Sequence, residues 1–157
     1  MQFLRPDSIH RWVEGDYSVS TDPEAVDIDM VHRFLVDEAY WWHGRPRDAI
    51  EHAISTSRPY SLRHDPSDRQ VGFARVVTDG TWIGWIGDVM VLPDHRGGRG
   101  KFLMRCVMED LAPVRRVILG TRDAHGLYAQ FGFTPLQHPD GMMECARTTN
   151  RRRTSTS

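Results

Sequence analysis

The hydrophobic positions of this chain change period several times, as they do when α and β elements alternate along one domain. "YSVST" (residues 17–21) alternates and predicts a first strand. In "DPEAVDIDMVHRFLVDEAYWW", Val26, Met30, Phe34 and Leu35 fall at helical spacing. Asp22 before Pro23 is a start signal, Asp27 a later alternative, and Gly44 a stop. "RPRDAIEHAIS" resumes helical spacing through Ala49, Ile50, Ala53 and Ile54 and predicts a second short helix.

From Pro59 the period becomes strand-like. "PYSLRH", "RQVGFARVVTD" and "TWIGWIGDVMVL" predict an antiparallel meander over residues 59–91, with Asp79-Gly80 suited to a tight type I′ turn. "GKFLMRCVMEDLA" then places Phe102, Leu103, Cys106, Val107 and Leu111 on one helical face, and Pro113 stops it. "VRRVILGT" predicts a strand, "DAHGLYAQFG" a short helix, "FTPL" a strand, and "MMECAR" is a further candidate strand. The tail "RTTNRRRTSTS" has almost no apolar content and is expected to be disordered. The organisation expected is an N-terminal extension over residues 1–15, one domain over 16–147 and a tail over 148–157.

Composition narrows the function classes. The chain has 157 residues, enough for one hydrophobic core and too few for two comfortable ones. Lys and Arg total 20 against 21 for Asp and Glu, a net charge of −1, so the overall positive field of a nucleic-acid binder is missing and no nucleic-acid partner is expected. Cys106 and Cys145 lack a metal spacing and are too few for a disulfide framework. They read as small buried hydrophobes in a reducing cytoplasm, with no metal site. No run approaches 18 apolar residues, and Arg5, Asp7, Arg11 and Glu14 stand where a signal peptide needs an apolar centre. A soluble cytoplasmic protein without membrane contact is expected.

The stretch with a chemistry of its own is "LPDHRGGRGKFLM", a glycine-rich basic turn between a predicted strand and a predicted helix. Such a turn aims backbone N–H groups at one point with a helix N-terminus behind them, so it attracts anions, phosphates above all. Glycine is required because a side chain would hold the phosphate away. The Walker pattern fails because Lys101 is followed by Phe102, and the dinucleotide fingerprint fails in spacing and in its place along the chain.

Taken together, "VGFARVV", "DVMVLPDHRGGRGKFLM" and "ILGTRDAHGLYAQFGF" resemble, in this order, the GNAT superfamily of acetyl-coenzyme A dependent N-acetyltransferases. The resemblance covers residues 17–146. It implies an α/β fold: a mixed central sheet of six to seven strands with about four helices packed on both faces. It also implies acetyl-coenzyme A as cosubstrate, with the pyrophosphate in the turn formed by Arg96, Gly97, Gly98, Arg99, Gly100 and Lys101. The family turn begins with Gln or Arg and has glycine three positions later and glycine or alanine five positions later. Here Arg96 to Gly100 spans four positions, so the turn is one residue short; His95 in the first slot restores the spacing and loses the usual residue.

The resemblance further implies that the strand through Val89, Met90 and Val91 offers backbone groups to the pantetheine arm. Thr121 falls where many relatives have a pantetheine-binding asparagine. Tyr128 matches the family tyrosine that protonates the departing thiolate; a phenol of ordinary pKa about 10 can serve a thiol of about 8.5 in that way. The reaction implied is direct acyl transfer to an amine, with the thioester carbonyl polarised by a backbone N–H near Val89. Asp88, His125 and a water chain are, in that order, the candidates for proton acceptor. The bland readings are that Tyr128 packs in the core, Asp88 bonds a loop and His125 caps a helix.

"YWWHG" is the remaining unusual cluster. Three adjacent aromatics cannot all face a core from one helix, so Tyr40, Trp41 and Trp42 are acceptor-side candidates that could hold a cationic amine by cation–π contact. A lid packing on the sheet and a homodimer contact are the alternatives. The expected partner is a small-molecule or peptide amine. A non-catalytic acyl-coenzyme A sensor with the same fold is the reading carried beside the acyltransferase.

Overall fold

The structure, a computed structural model, describes residues 2–39 and 44–147. Its centre is one six-stranded sheet in sequential order: β1 (Arg11–Glu14), β2 (Tyr17–Ser20), β3 (Arg58–His64), β4 (Arg69–Thr78), β5 (Ile83–Val91) and β6 (Arg116–Leu119). Neighbours are antiparallel from β1 to β5, and β6 joins β5 in parallel. A parallel pair needs a crossover, which is supplied by α3 (Arg99–Asp110). The helices α1 (Ile28–Glu38), α2 (Arg47–Ser55) and α4 (His125–Ala129) complete the α complement among the described residues.

Each face of the sheet has its own core. Met30, Val31, Phe34 and Leu35 of α1 and Ile50 and Ile54 of α2 pack on Phe73 and Met90. On the other face, Phe102, Leu103, Cys106 and Val107 of α3 pack on Val19, Tyr60, Leu62, Val71, Val76 and Ile86. Alternation along β4 makes the division: Phe73 points to α1 and α2, while Ala74 and Val76 point to α3. The mixed sheet with helices on both faces is the α/β arrangement the family resemblance implied. None of the helices among the described residues is long and apolar enough to cross a membrane.

Local chemistry accounts for the element ends and for several departures from expectation. The Asp27 side chain accepts from the Met30 N–H at 3.0 Å, so α1 begins there, and the Asp22 signal starts only a 3₁₀ turn, Pro23–Ala25. The helix ends at Glu38, well before Gly44. Strand pairing reaches below residue 15: Gly15 turns at φ +56° between β1 and β2, so Arg11–Glu14 lies inside the sheet, and the strand expected first is the second. Asp79-Gly80 does end a hairpin, although not through a type I′ turn. Only Gly80 has positive φ, and the Asp79 carboxylate accepts from the N–H groups of Thr81, Trp82 and Ile83 at 2.9, 2.8 and 3.2 Å. "FTPL" and "MMECAR" are not strands. Pro135 has no N–H to donate to the outer edge of β6, and residues 141–147 are exposed, Cys145 among them, which corrects its reading as a buried residue.

Candidate active site

The site begins with an irregularity in β5. Phe73 pairs with Met90 and Arg75 with Gly87, so two steps along β4 oppose three along β5. The extra residue is a β-bulge at Asp88 and Val89, and Asp88 takes φ +55°, a conformation uncommon for any residue but glycine. The Arg75 guanidinium holds the bulge from β4: its Nε donates to Asp88 Oδ2 at 2.7 Å and its Nη1 to Ser57 Oγ at 3.1 Å.

β6 pairs with β5 only from Ile83↔Arg116 to Ile86↔Leu119. Beyond that point β5 runs on through the bulge to Val91 while the other chain leaves at Gly120 toward α4. The gap is a cleft of about 700 Å³ lined by Trp85, Asp88 and Val89 on one side and Thr121, Asp123 and Tyr128 on the other, with Arg75 at its floor. Among the described residues its β5 wall is a strand edge with no strand beside it, so backbone donors and acceptors there can pair with an extended ligand. Tyr128 is buried to 9% exposure, with its ring 6.0 Å from Phe133 in edge-on geometry.

At the end of β5, past the 3₁₀ turn Pro93–His95, lies the glycine turn. Gly97 and Gly98 have φ +102° and +92°, and Gly98 caps α3 without any side-chain hydrogen bond. Phe102 N–H makes the first intrahelical bond, to Gly98 O at 3.1 Å, so the helix supplies no acceptor for the N–H groups of Arg99, Gly100 and Lys101. Among the described residues, neither Gly97 nor Gly98 donates a backbone hydrogen bond. A Cβ on either glycine would meet nothing within 4 Å, so the space over the turn is open. The basic side chains are mostly engaged elsewhere. Arg96 Nε donates to Val91 O at 3.2 Å, His95 Nδ1 lies 3.0 Å from Tyr17 Oη, and the Arg99 guanidinium stacks 4.1 Å over the Tyr17 ring. What the turn presents is backbone N–H, an uncapped helix dipole and the exposed Lys101, a donor set suited to phosphate oxygens. The turn and the cleft share a neighbour: a Cβ at Gly100 would lie 3.9 Å from Leu127, beside Tyr128 on α4.

The structure therefore brings Asp88, Val89, Thr121 and Tyr128 together and sets the turn from Arg96 to Lys101 at the end of the same strand. Met90 and Val91 turn their side chains into the two cores, leaving only their backbone to the strand edge. Thr121 Oγ1 accepts from Ala124 N–H at 3.0 Å and so caps the turn into α4. His125 is exposed and borders an adjoining hollow with Phe133 and Leu136, which shares Thr121 and Tyr128 with the cleft. Tyr40, Trp41 and Trp42 lie outside the described residues. Arg75 and Trp85 line the cleft and were not singled out from sequence; the signal was faint, a charge and an aromatic inside otherwise apolar strands. Among the described residues no cluster of three or more His, Cys, Asp or Glu could hold a metal ion.

A mixed sheet whose parallel strand pair parts beside a bulge, with a glycine turn leading into the crossover helix, defines a domain of the GNAT type. The profile of the acetyltransferase (GNAT) domain matches residues 55–135. A GNAT-family protein from Xanthomonas campestris is 42% identical with a TM-score of 0.80, over 86% of this chain and 96% of that one. A curated relative from Gibberella zeae that carries an acetyltransferase name is 33% identical over 153 residues, 83% of this chain and 86% of its own length. The N-acetylglutamate synthase of Neisseria gonorrhoeae, solved with coenzyme A and L-arginine, shares the fold at 22% identity and a TM-score of 0.65, over 83% of this chain and 30% of that one. The chain belongs to the GNAT acetyltransferase family.

Proposed function

We propose that the protein moves an acetyl group from acetyl-coenzyme A directly to a primary amine of a small molecule or peptide. The observation that carries this reading is the cleft itself: a bulged, unpaired strand edge faces Tyr128, and an uncapped helix N-terminus stands at the end of the same strand. An extended thioester with a pyrophosphate at one end fits that layout, and the Neisseria relative with the same fold is one that binds coenzyme A. Backbone N–H groups from Gly97 to Lys101 hold the phosphates, and the edge of β5 from Val89 to Val91 aligns the pantetheine arm.

In the transfer the amine nitrogen bonds to the acetyl carbon and the carbon–sulfur bond breaks. A backbone N–H at the bulge polarises the carbonyl oxygen, and its fixed orientation favours the developing charge. Tyr128 gives its proton to the leaving sulfur and later regains one from solvent. The ammonium proton goes to Asp88, the cleft carboxylate at the β5 bulge, directly or through water. Trp85, with 48% of its surface exposed at the cleft, offers the acceptor an apolar wall.

The test is thiol release from acetyl-coenzyme A in the presence of a panel of small amines, peptides and aminoglycosides, paired with calorimetric titration. Binding with amine-dependent release supports the transferase. Binding without release under any acceptor supports the sensing role instead, and absence of binding at millimolar ligand overturns both.

A further inference from the structure

Tyr17 stands on β2, three strands away from β5, yet its side chain touches both flanks of the glycine turn. Its hydroxyl lies 3.0 Å from His95 Nδ1, on the residue just before Arg96. Its ring carries the Arg99 guanidinium at 4.1 Å, on the first residue of α3. The His64 ring on neighbouring β3 backs the group at 5.1 Å from Tyr17 and 5.2 Å from His95, and His64 is fixed in turn by Ser67 Oγ at 2.7 Å.

Between those flanks lie Gly97 and Gly98. Two consecutive glycines have the greatest backbone freedom a chain can have, and neither donates a backbone hydrogen bond. The only backbone bond on the pair is the one Gly98 O accepts from Phe102 N–H at 3.1 Å, at its helix side, so Gly97 is held only by its flanks among the described residues. A turn that must be ordered by its ligand binds more weakly than one already in place. We infer that Tyr17 is a positioning residue for the phosphate turn: it staples the residue ahead of the turn and the residue behind it to one rigid strand, so that the donors from Gly97 to Lys101 are aligned before the ligand arrives. It touches neither the reacting atoms nor the cleft. The inference rests on the proposed coenzyme A site and adds to it a residue that the turn motif does not contain.

The test compares wild type, Tyr17→Phe and Tyr17→Ala, each checked for native circular dichroism and cooperative unfolding. Tyr17→Phe removes the hydroxyl contact to His95 and keeps the ring under Arg99, whereas Tyr17→Ala removes both. Expected are coenzyme A dissociation constants raised about threefold and about tenfold respectively, with kcat at saturating acetyl-coenzyme A unchanged. The same variants are assayed with S-acetylpantetheine, which has the thioester and lacks the phosphates. There the KM should be the same for all three proteins, since no phosphate reads the turn. Equal coenzyme A affinity across the three overturns the inference and leaves the proposed function standing. Parallel losses with both donors also overturn it, because they mark general destabilisation. Wild type that binds no coenzyme A overturns the proposed function first and the inference with it. Should Tyr17→Ala not fold, Tyr17→Phe decides by the same comparison.

Discussion

Arg75 Nε meets Asp88 Oδ2 at 2.7 Å across the β4–β5 ladder, at the one place where the ladder slips and where Asp88 is held at φ +55°. Both side chains are 21% exposed, so the pair is only partly screened by solvent. It explains how a strained bulge survives in the middle of a sheet: the guanidinium fixes the side chain whose backbone is out of register.

Asp88→Asn and Asp88→Ala should therefore differ. Asn tolerates the left-handed conformation and keeps a polar group near Arg75, so it should cost about 1 kcal/mol; Ala adds backbone strain of about 1 kcal/mol more. Urea denaturation of the two variants gives the ordering, and equal stabilities would mean that the positive φ stores no strain. Both variants should lose turnover, through the bulge geometry and through the proton acceptor.

Tyr128→Phe keeps the ring against Phe133 and removes the phenol from the cleft. If the hydroxyl protonates the departing sulfur, kcat should fall about 10²-fold while coenzyme A affinity holds. Steady-state kinetics beside calorimetry read the two quantities separately, and an unchanged kcat removes Tyr128 from the acid role.

The meander and α3 were legible in the sequence because their apolar residues keep one period and their ends carry strong local signals, such as Pro113 after the helix. The bulge was not legible: nothing in "IGDVMV" announces an extra residue, since the slip is decided by pairing with β4 and by Arg75, thirteen positions away in the chain. β1 was missed because "RWVE" is too short to show a period. "FTPL" and "MMECAR" failed for the opposite reason: their composition fits a strand, but neither pairs with a sheet edge, and Pro135 lacks the N–H a ladder needs. Of the site, Tyr128 and the turn could be placed from their motif. The fate of the turn's basic side chains could not, because Tyr17 and Val91 O capture them only in three dimensions.

Gly98→Ala separates the backbone from the ligand. At φ +92° an added methyl strains the chain by about 1 kcal/mol although it meets no protein atom within 4 Å. Gly15→Ala, at φ +56° in the β1–β2 turn with equally open surroundings, is the matched control. Both should lose similar stability in thermal melts. Only Gly98→Ala should weaken coenzyme A binding, by about tenfold or more, and equal affinities would show that the phosphates lie elsewhere.

The two cysteines should separate by reactivity. Burial pushes the Cys106 thiol up to about 12, with the Arg105 charge opposing that shift, so almost no thiolate exists at neutral pH, and its sulfur packs in the α3 core. Cys145 is exposed. Titration with a chromogenic disulfide should count one thiol in the native protein and two in denaturant; a native count of two would place Cys106 within reach of solvent.

The far end of α3 carries a buried charge network. Asp110 is buried and receives Arg58 Nε at 2.5 Å, Arg58 Nη2 at 3.2 Å and the Tyr60 hydroxyl at 2.6 Å, while His10 Nδ1 lies 2.6 Å from its Oδ1. Arg58 Nη1 continues to the carbonyls of Arg5, Pro6 and Ser8 at 3.4, 3.3 and 3.0 Å, so one carboxylate ties the N-terminal segment, β3 and α3 together. Burial alone would raise the Asp110 pKa, but hydrogen bonds from Arg58 and Tyr60 and the Arg58 charge outweigh it and hold the carboxyl below its ordinary value. A carboxyl depressed on folding binds fewer protons in the native state than in the unfolded one. Its stabilisation is thus complete above the unfolded pKa of about 4 and is lost as pH falls through the native value. Unfolding free energy measured from pH 7 down to pH 2 should accordingly decline below about pH 4. Asp110→Asn should lower stability at pH 7 by about 3–5 kcal/mol, since Arg58 is left buried without its counter-charge, and should flatten the acid decline. A variant that kept the wild-type acid slope would show that other carboxylates, and not Asp110, set the acid stability of the fold.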